Sequence, residues 1–259
     1  MQSPPSSIIF SIGAFQLHYY GLIMFFAIVS ALLTMRFVAK KYFKEADTSI
    51  LLDILPPIIL SAILGARIYY VLMDFSYYST HLSEIFAVWN GGISIHGALI
   101  GGILAGFVLS RKEKFSFLKY ADIFAYGLLI GQSVGRLGNY FNCEAFGLPT
   151  SLPWGLFIPE SHRPLDYFRF SYFHPTFLYE ILWNLFAFCV LIFIGKRFKN
   201  PEGRVFFSYL ILYSSGRFFI EFLRTDSVLN IYGIPVAQVV CVITVIAAIL
   251  GLMLINKKV

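Results

Sequence analysis

Charge is scarce in this chain. Asp, Glu, Lys and Arg make up 13% of its 259 residues against 58% hydrophobic, and the mean hydropathy is +0.74. A soluble domain carries about 25% charged residues, so that class is excluded. Cysteine is nearly absent as well. Of three, Cys189 and Cys241 fall within apolar runs and only Cys143 lies outside them. That leaves no disulfide framework and no metal-ligand spacing. There is no Walker loop, nucleophile elbow or dinucleotide fingerprint, and no internal repeat or low-complexity linker. Neither a metal nor a cofactor is expected. No basic segment and no small-residue cleavage site precedes the first apolar run, which is therefore expected to be a retained span, not a signal peptide. The net charge of +6 falls in short clusters between apolar runs. That placement serves membrane orientation and does not call for nucleic acid.

What the chain has instead is long apolar runs. Seven can be marked out, at roughly Tyr19–Met35, Ile50–Met73, Ile95–Leu109, Tyr120–Val134, Thr176–Ile194, Val205–Phe222 and Ile234–Ile255. They predict one all-α polytopic membrane domain over residues 1–259, with about seven transmembrane helices. The third and fourth runs are short and Gly-rich, so tilted, broken or partly re-entrant segments are also compatible with them. Basic clusters follow alternate runs: Arg36, Lys40, Lys41 and Lys44; Arg111, Lys112, Lys114 and Lys119; Lys196, Arg197, Lys199 and Arg204; Lys257 and Lys258. These hold fourteen of the 20 Lys and Arg residues. With seven spans all four clusters share one side, which the positive-inside rule makes cytoplasmic. The N-terminus is then expected outside and the C-terminus in the cytoplasm. The stretch 136–175, with Trp154 and Pro149, Pro153, Pro159 and Pro164 along it, predicts a small extracytoplasmic cap between spans four and five.

Polar residues gather at the run ends that this arrangement places outside. The most pointed group is Gly135-Arg136-Leu137-Gly138-Asn139-Tyr140-Phe141-Asn142-Cys143-Glu144. An Arg at the centre of a spanning helix costs about 2.5–3.5 kcal/mol on insertion scales, and polar groups at membrane depth commonly line a substrate path. Arg136 suits a phosphate through paired donors; the alternative is a charge pair closing a helix end, and the crowding of four polar types into so few positions favours the site. His18-Tyr19-Tyr20-Gly21 fits an interfacial aromatic belt. The segment Trp89 to Gly102 sets His96 among Gly97, Gly101 and Gly102; helix packing accounts for the glycines but not for a titratable imidazole. In His174-Pro175-Thr176-Phe177-Leu178-Tyr179-Glu180, Thr176 can cap the fifth helix, while Glu180, one turn in, is expected to pair with an arginine. From Tyr213 to Arg224, Arg217, Glu221 and Arg224 share one helix face. They form either a self-neutralising pair inside the bundle or a site in which Glu221 holds one arginine and the other meets an anion. Together these groups predict an outward-facing chamber for an anionic lipid headgroup. A transporter or channel for an anionic solute, or another headgroup transferase, uses similar parts.

The same residues carry a resemblance. His96-Gly97-Ala98-Leu99-Ile100-Gly101, the Gly135–Asn139 string with Asn142 and Glu144, His174-Pro175-Thr176 with Tyr179-Glu180, and Gly216-Arg217 with Glu221-Phe222 and Arg224 resemble the bacterial phosphatidylglycerol–prolipoprotein diacylglyceryl transferases. The resemblance runs from about Ile9 to Arg224 and on through the last span. It implies a multi-pass enzyme of the bacterial cytoplasmic (inner) membrane with its active site on the extracytoplasmic side. Its partners would be phosphatidylglycerol, a prolipoprotein signal peptide with its lipobox cysteine, and the bilayer. It implies transfer of the sn-1,2-diacylglyceryl group to the lipobox thiol with release of glycerol 1-phosphate, the first step of lipoprotein maturation.

On that resemblance His96, Arg136 and Arg217 are the catalytic candidates. His96 would be the base, and the two arginines would hold the phosphate. Tyr20, Asn139 and Glu144 would complete the substrate site, with Gly97, Asn142, Glu180, Tyr213, Glu221 and Arg224 in support. Phe177 departs from a glutamine found in many members. Cys143 is expected to be a bystander, since the family's reacting thiol comes from the substrate. Arg67, in Gly65–Tyr70, also fits the family without an evident role.

Overall fold

A computed structural model describes residues 1–4, 8–12, 15–44, 46–198, 201–226, 230–231 and 233–257. Lys199 and Lys258, two members of the basic clusters, lie outside the described residues. Among those described there are eight helices: α1 (Tyr19–Tyr42), α2 (Thr48–Met73), α3 (Phe75–Tyr78), α4 (Ile95–Lys112), α5 (Phe117–Phe141), α6 (Thr176–Arg197), α7 (Arg204–Glu221) and α8 (Val236–Asn256). Seven of them coincide with the seven apolar runs, and α3 is a single turn. Three short antiparallel strand pairs complete the fold: β1 (Ile8–Ile12) with β2 (Phe15–His18), β3 (Leu156–Phe157) with β4 (Tyr172–Phe173), and β5 (Asn230–Ile231) with β6 (Ile234–Pro235).

Four helices, α1, α2, α6 and α8, are long and apolar enough to cross a bilayer, with mean hydropathies between 2.0 and 2.8. Their outer faces stay apolar: Leu33, Leu60, Phe193, Ile243 and Leu254 are all exposed. A helix that is hydrophobic all round belongs in a large core or in lipid. The pattern is that of a polytopic membrane protein. The short, Gly-rich third and fourth runs form unbroken helices, α4 and α5. α5 extends past its apolar run, through Arg136 and Asn139, as far as Phe141.

Two compact units can be distinguished, residues 1–43 with 121–259, and residues 44–120. In the first, α1, α5, α6 and α7 meet around Val38, Ala125, Tyr126, Leu129, Leu191 and Tyr209. Asp122 on α5 fixes the start of α7. Its two carboxylate oxygens accept the backbone N–H groups of Gly203 and Phe206, each at 2.7 Å, which satisfies donors that a helix N-terminus leaves open. The cap has its own small core of Phe146, Leu156, Ile158, Phe173 and Phe177. It is tied to the end of α7 by the Leu148 N–H donating to the Leu223 carbonyl at 2.6 Å.

In the second unit α2 and α4 pack backbone to backbone. A Cβ on Gly97 would collide with the Gly65 carbonyl and reach Tyr69 Cβ at 2.5 Å, and one on Gly101 would meet the Ser61 carbonyl. The same stretch of α2 holds the approach to α4. The Ser94 N–H donates to the Ala66 carbonyl at 3.0 Å. Arg67, 7% exposed, donates to the carbonyls of Ile85, Gly91, Gly92 and Glu84 at 2.8, 2.9, 2.7 and 2.5 Å. Its guanidinium also stacks over Tyr78. Arg67 thus organises the loop before α4.

The seam makes a graded prediction. Gly97→Ala forces the two backbones apart and should cost about 1–3 kcal/mol. Gly102→Ala meets only Ala62 and Ile58 side chains at 3.7 and 3.8 Å, so its gain in helix propensity, up to about 1 kcal/mol, should leave stability unchanged or higher. Thermal melts of the two variants in the same detergent check the contrast.

Candidate functional site

Glu180 is the centre of the polar cluster in the first unit. It stands one turn into α6 with its side chain 4% exposed, and it meets three guanidiniums: Arg136 at 2.5 Å, Arg217 at 3.3 Å and Arg224 at 3.2 Å. Arg136 comes from α5, Arg217 from α7, and Arg224 from just past the end of α7. One carboxylate therefore joins two helices to its own. Glu221, one turn beyond Arg217, binds that arginine at 2.6 Å and lies 4.0 Å from Arg224.

Exposure separates the arginines. The Arg224 side chain is 10% exposed and is closed off by Asp226, which it grips through Nε at 2.8 Å and Nη2 at 2.5 Å. Arg217 is 18% and Arg136 24% exposed, while Glu180 and Glu221 lie beneath at 4% and 3%. The accessible face of the cluster is cationic. Planar guanidinium edges held in this way suit the paired oxygens of a phosphate or carboxylate. Tyr213, one turn below Arg217 on α7, stands beside Arg136.

The remainder of the Gly135–Glu144 string shapes the Arg136 side. Asn139 Oδ1 accepts from Arg136 at 3.3 Å, and its Nδ2 donates to Glu144 at 2.9 Å; Asn142 donates to the same Glu144 oxygen at 3.4 Å. The chain turns sharply after α5 to allow this. Cys143 and Ala145 both take positive φ, 50° and 54°, a left-handed conformation that costs energy in residues with a Cβ. The turn brings the Glu144 N–H onto the Asn139 carbonyl at 3.0 Å. Cys143 is buried, and burial pushes its thiol pKa up, away from the thiolate that a nucleophile needs. The Tyr20 ring lies against Gly138, within 2.8 Å of where a Cβ would stand.

Thus Tyr20, Arg136, Asn139, Asn142, Glu144, Glu180, Tyr213, Arg217, Glu221 and Arg224 gather in the first unit. His96 and Gly97 belong to the second. There His96 is half-buried in the first turn of α4, its ring 5.9 Å from that of Tyr69. All four donor contacts of Arg67 are to carbonyls of its own unit.

Two details differ from expectation. Thr176 does not cap α6: Pro175 holds the cap position, and the Thr176 hydroxyl donates instead to the Ala145 carbonyl. It therefore ties the cap loop to the helix. The helix outlasts its apolar run: α5 continues past Val134 to Phe141, so Gly135 to Phe141 form its last turns and Asn142, Cys143 and Glu144 follow its end. Sequence reasoning also missed Asp226, Gln132 and Tyr209. Asp226 sits two residues from Arg224, an offset with no helical signature. Gln132 was within reach, since it lies one turn before Arg136 in an apolar run.

The profile of the family described as "Prolipoprotein diacylglyceryl transferase" matches residues 7–254. A phosphatidylglycerol–prolipoprotein diacylglyceryl transferase of Acaryochloris marina is 45% identical over 250 residues, covering 96% of this chain and 90% of that protein. Its counterpart in Gloeobacter violaceus is 41% identical over 98% and 94% of the two chains, and that of Thermotoga maritima 41% over 98% and 86%. A match of this extent and identity makes the chain a member of the prolipoprotein diacylglyceryl transferase family.

Proposed function

We propose that this chain moves the sn-1,2-diacylglyceryl group of phosphatidylglycerol onto the thiol of a prolipoprotein lipobox cysteine. The observation that carries this reading is the pair of partly exposed guanidiniums, Arg136 and Arg217, held over the buried carboxylate of Glu180. In the reaction the thiolate sulfur attacks the glycerol carbon that bears the phosphate. A carbon–sulfur bond forms, the carbon–oxygen bond breaks, and glycerol 1-phosphate departs. The phosphodiester carries one negative charge and the leaving monoester carries two. Donors fixed where that second charge develops stabilise the transition state more than the ground state. Arg136 and Arg217 fill this role, with Tyr20, Asn139 and Glu144 bounding the headgroup. Gly97, Asn142, Glu180, Tyr213, Glu221 and Arg224 hold the frame.

The thiol proton needs a base, because the thiolate is the nucleophile. His96 is assigned to it, since histidine is the side chain most often used as a general base. The chain acts as one membrane-embedded domain, residues 1–259, with seven spans and the basic clusters toward the cytoplasm. Its cap, residues 136–175, and the site face the extracytoplasmic side of the bacterial inner membrane. The coincidence of the seven runs with seven long helices supports that count.

Purified protein incubated with phosphatidylglycerol vesicles and a lipobox peptide should add one diacylglyceryl group to the peptide mass. An unmodified peptide with folded protein would favour anion transport. Arg136→Ala should lower kcat by about 10²–10³, as loss of one fixed charge-stabilising donor does.

Removal of a general base costs about 10²–10⁴, and His96→Gln should fall in that range. Near-normal turnover in His96→Gln beside a dead Arg136→Ala would take the base role from the histidine. Cys143→Ser should transfer at the wild-type rate.

A further inference from the structure

Beneath the ion cluster the same three helices continue to face one another, and bonds above and below fix their register. α5 and α6 are antiparallel: Arg136 meets Glu180 at the top, and deeper in the bundle the Tyr126 hydroxyl donates to the Leu191 carbonyl at 2.9 Å. α5 and α7 run in parallel: Gln132 Nε2 donates to the Tyr209 hydroxyl at 3.0 Å, and one turn higher Tyr213 stands beside Arg136. α6 and α7 are pinned by Trp183 Nε1 donating to the Leu212 carbonyl at 2.8 Å. Asn184 lies one turn below Glu180, and Gln132 one turn below Arg136. Both amides therefore fall in the layer directly under the Arg136–Glu180 pair, with Tyr209 and Tyr213 beside them.

This layer is incompletely bonded within the protein. Asn184 is 2% exposed. Its Nδ2 and the Oε1 of Gln132 are buried and have no hydrogen-bond partner among the described residues. Buried polar atoms are nearly always satisfied, by protein or by ordered water. One of these atoms donates and the other accepts, which is the demand a single water meets, typically with about three bonds.

We infer that Gln132 and Asn184 hold an internal water under the ion cluster, and that this water steadies Tyr213 and so aims Arg136. The water accepts from Asn184 Nδ2 and from the Tyr213 hydroxyl and donates to Gln132 Oε1. With its proton engaged, the Tyr213 oxygen keeps a lone pair on the Arg136 guanidinium. Gln132 and Asn184 are then positioning residues that touch no substrate. This deepens the proposed reading, since it rests on Arg136 meeting the lipid phosphate.

Gln132→Leu, Asn184→Leu and the double variant test it by melting and by kinetics on phosphatidylglycerol vesicles with the lipobox peptide. Each single change strands the other amide, so each should lower the melting midpoint. The double change removes both unpaired ends and should melt no lower than the weaker single variant. In both singles kcat should fall by roughly tenfold to a hundredfold, the range a small misplacement of a catalytic group produces, with KM for the peptide unchanged. In an Arg136→Lys background Asn184→Leu should have no further effect on kcat. Additive midpoint losses, or density for a lipid group in this layer, would overturn the water. An unchanged kcat in Asn184→Leu would overturn the positioning role. Wild-type protein inactive on phosphatidylglycerol would sink the transferase reading, while the melting arm still decides on the water.

Discussion

The first unit turns on a single carboxylate. Glu180 is almost wholly buried, and three guanidiniums reach it from α5, α7 and the segment after α7. A buried carboxylate without partners is prohibitively costly, and three guanidiniums crowded together without one would repel each other. Neither side of the cluster can exist alone in the bundle. Because its members come from different helices, the cluster also holds the helix ends together at the depth where the site forms. The packing below it, from Tyr126 to Tyr213, keeps those ends in the register that the ion pairs need.

Asp122 does comparable work at the far end of the same bundle. By accepting two N–H groups at the start of α7 it sets that helix against α5. The rungs above follow in turn, Gln132 with Tyr209 and Arg136 with Tyr213. The second unit uses different means. There a glycine seam lets α2 and α4 touch, and Arg67 stitches the incoming loop through four carbonyls. His96, in the first turn of α4, inherits its place from that stretch of α2.

Much of this was legible in the sequence because lipid is an unforgiving solvent. The apolar runs mark the long helices, and polar residues at their ends mark the site, since residues such as Arg136 and Glu180 are too costly there to be incidental. What the pattern conceals is how donors are shared. Arg67 has no evident role in the sequence, yet its donors are bound to four carbonyls of the loop that leads into α4. Arg224 and Arg217 share a helix face by spacing, and only Asp226 reveals that Arg224 is closed and Arg217 open. Thr176 has the sequence context of a cap and in fact serves a contact with Ala145, thirty-one residues away. The Arg67 and Thr176 contacts depend on long-range partners that local spacing does not encode, and the Arg224–Asp226 pair on an offset with no helical signature.

The charge balance of the cluster explains why arginine is used throughout. Arg136, Arg217 and Arg224 are matched in number by Glu180, Glu221 and Asp226, so the group can be buried without a large net charge. Yet an anionic headgroup must still find positive potential. The structure resolves that conflict by burying the carboxylates beneath the guanidiniums, leaving Arg136 and Arg217 open. Only a planar fork allows this, because it can grip a carboxylate with one edge and keep another edge for a phosphate. A lysine ammonium in the place of Arg136 would carry the same charge, but it would direct that charge at Glu180 and leave no second fixed donor edge for the departing phosphate.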